Sequence, residues 1–275
     1  MKFCDLHLHT TYSDSTHTPG ELVEQASKAG IGVIAVADHD TVSGIKPVTE
    51  AAKTYDIEVI PAIELTAEYD GLEIHILGYF IEFEDEAFLR QLEVLKKRRV
   101  ERIYKIAEKL KDMGISIDTD DVFALSHNKG SVGRPHIARV LVKSGYCRTM
   151  GEAFEKYIGD NCPAYVCGFR FSPQEAIRLI RATAGVSVLA HPYTLHDDNL
   201  IPLLVKAGIQ GLEVYYPEHS ASMTERYKNL AQHYGLLITG GSDCHGDARP
   251  DVKIGSIKIP YELVETLKAV KEKLK

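Results

Sequence analysis

The sequence predicts an α/β fold built on parallel strands, with a block of helices inserted in its middle. Three observations carry this. Short apolar runs alternate with amphipathic segments, which implies strands covered by helices on both faces. The pattern turns almost wholly helical between Asp85 and about Ala164. Acids and histidines recur at the ends of the apolar runs, as in barrels whose C-terminal strand ends converge on one rim.

The elements follow in order. Asp5-Leu6-His7-Leu8-His9 reads as a first strand, and alternation puts His7 and His9 on one face. Thr18-Pro19-Gly20-Glu21 offers an N-cap, a proline in the first turn and an early acid, so a helix runs from there to Ala29-Gly30. Ile31 to Ala37 is a buried strand ending in Asp38-His39-Asp40. Ile57 to Leu65 and Leu72 to Ile81 are the next strands, with Glu64 ending the first in Pro61-Ala62-Ile63-Glu64 and His75 inside the second. Residues 82–165 form the helical insertion, with Phe88, Leu92, Leu95, Ile103, Ile106 and Leu110 at helical spacing. Strands then return at Val186 to Ala190, Gly211 to Tyr215, Leu236 to Thr239 and Ile254 to Ile259. Helices separate them at Pro173 to Ala184, Leu200 to Ala207, Ser222 to Tyr234 and Tyr261 to Leu274. The chain thus divides into a discontinuous α/β domain, 1–81 plus 166–275, and a helical insertion, 82–165.

Composition narrows the function. The 275 residues suit one barrel-sized domain. With 44% hydrophobic and 26% charged residues the chain is neither disordered nor a membrane bundle. No apolar run approaches the ~20 residues of a bilayer span. A net charge of -7 excludes a global nucleic-acid footprint, so stable binding of double-stranded DNA is not expected, but it suits a site filled by cations. Met1-Lys2-Phe3-Cys4-Asp5 lacks the apolar stretch of a signal peptide, and the expectation is a cytoplasmic protein without membrane contact. Five cysteines without a CxxC pair are expected to be reduced.

The twelve histidines carry the chemistry. Besides His7, His9 and His39, His191 closes Val188-Leu189-Ala190-His191, and Asp243 and His245 close the run after Thr239. Asp14 lies in the turn after the first strand. Burying such groups without partners costs ~1–3 kcal/mol each, more when charged, and metal coordination supplies the partners. A mixed His, Asp and Glu set suits Mn, Fe or Zn better than Ca or Mg. Nine candidate ligands (His7, His9, Asp14, His39, Glu64, His75, His191, Asp243 and His245) exceed one ion and indicate two or three.

With these residues assembled, the chain resembles the PHP family, named for polymerase and histidinol phosphatase domains. The matching motifs are Asp5-Leu6-His7-Leu8-His9, Ser13-Asp14, Asp38-His39, Glu64, His75, Ala190-His191-Pro192 and Gly241-Ser242-Asp243-Cys244-His245. The resemblance implies a distorted (β/α)7 TIM-like barrel with a trinuclear metal site at the strand ends. It implies one ion at His7, His9, Glu64 and Asp243, a second at Glu64, His75 and His191, and a third at Asp14, His39 and His245. Gly133-Arg134-Pro135-His136-Ile137-Ala138-Arg139 and Gly211-Leu212-Glu213-Val214-Tyr215-Tyr216-Pro217 resemble a subgroup that hydrolyses nucleoside 3′,5′-bisphosphates and trims short RNA from its 5′ end.

The expected activity is therefore metal-dependent hydrolysis of a small phosphorylated nucleotide or short RNA, releasing phosphate. A hydroxide between two ions would attack phosphorus in line with the leaving oxygen. Glu64, Asp243 and His191 are the expected catalytic residues. Arg134 and His136 are expected to hold a second phosphate, with His219 and Arg170 as further contacts, because a guanidinium donates two parallel hydrogen bonds to phosphate. Asp5, Asp38 and Asp40 are expected to orient ligand imidazoles. Lys96-Lys97-Arg98-Arg99, with Arg102 and Lys105, reads as a solvated helical face. A histidinol phosphate or other small-monoester phosphatase is the alternative, and a non-catalytic metal-binding module a further one.

Overall fold

A computed structural model describes residues 3–126, 131–167, 170–257 and 259–274. The strands are β1 (Phe3–Leu8), β2 (Ile31–Val36), β3 (Glu58–Tyr69), β4 (Leu72–Tyr79), β5 (Val186–Leu189), β6 (Gly211–Tyr215), β7 (Leu237–Gly240) and β8 (Ile259–Pro260). They form one sheet in the order β7-β6-β5-β4-β3-β2-β1-β8. The ends meet beyond β7, where Asp243 N–H donates to His7 O at 2.8 Å and Leu8 bridges Cys244 in parallel. Gly241 permits this approach, because a Cβ there would stand 2.2 Å from His7 Cβ and 2.5 Å from His7 N. The result is a distorted, nearly closed α/β barrel.

Among the described residues, ten α-helices accompany the strands: α1 (Pro19–Lys28), α2 (Ile45–Ala52), α3 (Glu86–Asp112), α4 (Thr119–Leu125), α5 (Arg134–Lys143), α6 (Met150–Ala153), α7 (Pro173–Ala182), α8 (Leu200–Ala207), α9 (Ala221–Tyr234) and α10 (Glu262–Leu274). Helix α1 starts as its sequence dictates: Thr18 and Glu21 form a reciprocal capping box with Pro19 in the first turn. Ser172 and Glu175 do the same for α7. None of the described helices is long and apolar enough to cross a membrane.

The sheet is mixed rather than parallel throughout. β1–β2–β3 and β5–β6–β7 pair in parallel, but β4 runs antiparallel to both neighbours. The cause is local. Asp70 (φ 49°) and Gly71 (φ 81°) form a two-residue turn, and a connection that short can only return the chain as a hairpin. Glu64 consequently does not end its strand; β3 runs on to Tyr69 inside the hairpin. The strand expected at Ile254 to Ile259 is reduced among the described residues to Ile259–Pro260, paired antiparallel with β1. Residue 258 lies outside the described residues.

Three apolar clusters hold these layers. One joins the strands to α1, α2, α7, α8 and α9 through residues such as Leu22, Val48, Ile180, Leu204 and Ala231, and also takes Phe88, Leu92 and Leu95 from the start of α3. A second packs strand residues Leu6, Ala35, Ala62 and Val188 against Val264 and Leu267 of α10. The third belongs to the later part of α3 and its companions: Ile103, Ile106 and Leu110 pack on Val122, Ile137 and Leu141. Helix α3 therefore starts on the barrel and ends in the helical layer, so its middle turns pass over the rim.

Candidate metal centre

The strand ends place their side chains by turning sharply. His191 (φ 24°) follows β5 and Asp243 (φ 53°) follows β7, both in the left-handed region that costs ordinary residues about 1–3 kcal/mol. Asp40 (φ 50°) does the same after β2. Such turns swing side chains from the strand ends into one space.

All nine expected ligands meet there, and Glu64 is their centre. Its Oε2 lies 3.1 Å from His7 Nε2, 3.3 Å from His9 Nε2 and 3.2 Å from His39 Nδ1. Its Oε1 lies 2.9 Å from His75 Nδ1 and 3.1 Å from His191 Nε2. Asp243 Oδ1 stands 3.0 Å from His9 Nε2 and 3.5 Å from His245 Nδ1. Asp14 Oδ1 stands 3.2 Å from His245 Nε2. Three groups have donor atoms close enough to share an ion: His7, His9, Glu64 and Asp243; His9, Asp14, His39 and His245; and His39, Glu64 and His75.

The donor set fits divalent cations. Donors about 2.0–2.2 Å from a tetrahedral metal stand roughly 3.3–3.6 Å apart, close to the spacings above. His7 Nε2, His9 Nε2, Asp14 Oδ1, His39 Nδ1 and Glu64 Oε2 are buried and lack a hydrogen-bond partner among the described residues. Hydrogen bonds cannot satisfy five imidazoles crowded on one carboxylate, whereas cations can.

Electrostatics point the same way. Burial favours the neutral carboxyl of Glu64, yet His39, His7 and His75 hold it well below the usual range. Asp14 is likewise held low, against its burial, by His245 and His39. Burial pushes the His39 imidazole down to about 3, even with Glu64 and Asp14 beside it. At His75 burial is outweighed by Glu64 and Glu73, and at His245 by Asp14 and Asp243, so both rise to about 10. The pocket holds fixed negative charge that attracts protons or metal cations in competition.

The outer contacts differ from the sequence expectation. Asp38 accepts from Thr10 N, Thr10 Oγ1 and Ser13 Oγ at 2.6–2.7 Å, bracing the loop that carries Asp14. Asp5 accepts from Ser242 N, and Asp40 from Thr66 N and Arg99. All three acids hold backbone N–H groups, hydroxyls or arginine rather than ligand imidazoles. That task falls to Glu213, which accepts from His7 Nδ1 at 3.0 Å and from His191 N at 2.8 Å, and to Glu73, which accepts from His75 Nε2 at 2.9 Å. Asp243 Oδ2 accepts from Tyr216 Oη at 2.7 Å and Arg249 Nη1 at 2.8 Å.

A cleft of about 240 Å³ opens onto the cluster. It is lined by Asp14, His39, His75 and His245 from the cluster and by Arg99, Arg102, Arg134 and Arg170. Arg99 and Arg102 correct the solvated-face reading: Arg99 donates to Asp40 and Thr66, and Arg102 is 6% exposed, its Nε bonded to Val166 O. They share one face of α3 at i and i+3, a spacing that could have flagged them. Arg102 Nη2 is buried without a hydrogen-bond partner among the described residues. Arg134 donates to Glu73 and to Asp160, each at 2.7 Å.

His136 and His219 are placed differently from expectation. His136 is buried, its Nδ1 accepting from Gly133 N at 3.1 Å and its Nε2 donating to Ser13 O at 3.0 Å. Both nitrogens are spent on tying α5 to the Asp14 loop, so a phosphate contact is excluded in this arrangement. His219 donates from Nδ1 to Val214 O at 2.8 Å and packs among Tyr193, Tyr216 and Tyr227. It does not line the arginine cleft. Cys244 turns away from its neighbours Asp243 and His245, its Sγ donating to Val252 O, and all five cysteines are free.

A barrel whose strand ends gather imidazoles and carboxylates around a buried glutamate defines a metal-binding class of α/β protein. The chain belongs to the PHP domain family, whose profile matches residues 5–250. It is 34% identical to a 5′-3′ exoribonuclease of Haemophilus influenzae over 246 residues, 88% of this chain and 89% of that one. It is 31% identical to a phosphoribosyl 1,2-cyclic phosphate 1,2-diphosphodiesterase of Eggerthella lenta over 253 residues, 88% and 94% of the two chains. With a 3′,5′-nucleoside bisphosphate phosphatase of Chromobacterium violaceum it shares 30% identity over 259 residues, 92% and 91%. Among solved structures, a candidate metal-dependent phosphoesterase from Bifidobacterium adolescentis superposes with a TM-score of 0.89 at 30% identity, covering 98% of this chain and 96% of that one.

Proposed function

We propose that the chain is a metal-dependent phosphoesterase that hydrolyses nucleotide phosphoesters bearing a second phosphate, namely nucleoside 3′,5′-bisphosphates or the 5′ end of short RNA. One observation carries this reading: the donor cluster around Glu64 and a wall of arginines share a single cleft.

His7, His9, Glu64 and Asp243 would hold one divalent ion; Glu64, His75 and His191, with His39 alongside, a second; Asp14, His39 and His245, with His9, a third. Mn, Fe or Zn bound there would lower the pKa of a water molecule and offset the charge of a phosphoryl group. The chain's own residues do the rest. Glu64, Asp243 and His191 border the reacting group. Glu213 fixes the His7 ring with Nε2 facing Glu64, and one oxygen of Asp243 is held by Tyr216 and Arg249 so that the other faces the cluster. Arg134 and Arg102 bind the non-reacting phosphate, and the unpartnered Arg102 Nη2 supplies a donor for it. The helical segment 82–165 works as a cover that keeps bulk water from this charged space, because α3 and α5 supply three of the four arginines.

The test is a substrate panel with the Mn(II)-loaded protein: adenosine 3′,5′-bisphosphate, short 5′-phosphorylated RNA, histidinol phosphate and phosphoribosyl 1,2-cyclic phosphate. Preference for the bisphosphate or RNA, lost in Arg134→Ala, is the expected result. Preference for histidinol phosphate, or no release from any substrate, would overturn it.

A further inference from the structure

Glu73 stands between the two halves of the cleft. Its Oε1 accepts from His75 Nε2 at 2.9 Å. Its Oε2 accepts from Arg134 Nη2 at 2.7 Å and from Arg170 Nη2, and Arg102 Nη1 stands 4.0 Å away. One carboxylate thus grips an imidazole of the donor cluster and also offsets charge on three guanidinium groups. Any anion that enters the cleft meets the same guanidinium groups that Glu73 engages, and like charges brought together in a partly desolvated space repel. The i, i+2 spacing on β4 puts Glu73 and His75 on one face of the ribbon, so their contact is built into the strand.

We infer that Glu73 is a positioning residue with two opposed effects: it fixes His75 for turnover, and it weakens the pocket's hold on the non-reacting phosphate. This inference rests on the second-phosphate reading above. A phosphate bound equally well in substrate and product gains nothing in turnover from tighter binding, and a product held too firmly slows release. A carboxylate inside the arginine wall keeps that binding moderate while the same group orients the histidine.

The experiment uses the full chain loaded with Mn(II). Calorimetry measures the Kd of adenosine 5′-monophosphate, steady-state kinetics give kcat and KM on adenosine 3′,5′-bisphosphate, and elemental analysis gives Mn retained after dialysis. Glu73→Gln is expected to lower kcat at least about tenfold, the size of losing an outer partner of a ligand histidine, and to retain less Mn. The same variant is expected to bind the monophosphate about tenfold more tightly, as arginines freed of a charged partner turn to the ligand. A merely structural role predicts that affinity and kcat fall together, and that result would overturn the inference. If Glu73→Gln does not fold, Glu73→Asp carries the test. It keeps the charge but shortens the reach to His75, so kcat falls while Kd stays within about twofold; a Kd that rises with the fall in kcat overturns the inference. If the wild type releases no phosphate from any substrate, the phosphoesterase reading falls, while tighter monophosphate binding and poorer Mn retention by Glu73→Gln still support the role of Glu73.

Discussion

The two walls of the cleft are made in opposite ways. The donor wall comes from strand ends, where short motifs such as His7-Leu8-His9, Asp38-His39 and Asp243-Cys244-His245 bring their own geometry with them. The arginine wall comes from α3, α5 and the segment before α7, and no two of its members are neighbours in the chain. The first wall is fixed by local backbone, including the left-handed turns at His191 and Asp243. The second exists only when the helices dock on the rim. The donor cluster is thus anchored to the barrel strands, and three of the four arginines to helices packed over them.

The largest expected break falls on the donor wall. Glu64→Gln removes the charge that five imidazoles surround, and phosphate release should drop below detection while the purified protein loses bound Mn by elemental analysis. Recovery of normal activity in that variant would place the reaction elsewhere. Stripping the metal with a chelator should come next. Binding at about 100 Kd stabilises by ~2.7 kcal/mol, so melting should fall by about 5–10 °C and return when Mn(II) is restored. A smaller effect is expected behind the wall: Glu213→Gln loosens His7 and the backbone of His191, with a loss of about 10–100-fold in metal affinity or activity. Equal metal affinity in titrations of wild type and variant would show that Glu213 is dispensable.

On the arginine wall the effects should be selective rather than total. Arg134→Ala should raise KM for the bisphosphate about tenfold and leave a monophosphate substrate within about threefold. Equal losses on both would mean general damage. The smallest effect belongs to Lys97, exposed on α3 beside the half-buried Arg98 and Arg99. Lys97→Glu should change stability by less than about 0.5 kcal/mol in a denaturant titration and leave RNA hydrolysis unaltered.

The contrast also explains what was legible in advance. The α/β alternation, the helical block and the nine candidate donors were legible in strand-end motifs and apolar periodicity, and the distorted barrel in the resemblance those motifs carry. The hairpin was missed because alternating strands and helices were extended across Asp70-Gly71, a turn signal of only two residues. Glu213 and Glu73 were hidden because an acid inside an apolar strand looks like a lapse in pattern until a partner is found across the barrel. Arg99 and Arg102 sat in a run of four basic residues and their neighbours, where helical spread favoured solvent. Only the docking of α3 on the rim assigns two of them inward. His136 was misassigned because a proline-led helix start with Arg and His suggests phosphate, whereas this imidazole serves as an internal tie.

The hairpin that broke the parallel pattern has a wider consequence. β3 and β4 rise past the rim as a two-stranded ribbon, and the tip meets the helical segment where Tyr165 Oη donates to Gly71 O at 3.0 Å. Glu73 and His75 both sit on this ribbon, so its length sets the distance between the donor cluster and the arginines that Glu73 engages. Because side chains alternate along a strand, adding or deleting residues in matched pairs would raise or lower the far wall without inverting a face. Relatives that cut phosphoesters of different size could be drawn from one scaffold by trimming this ribbon.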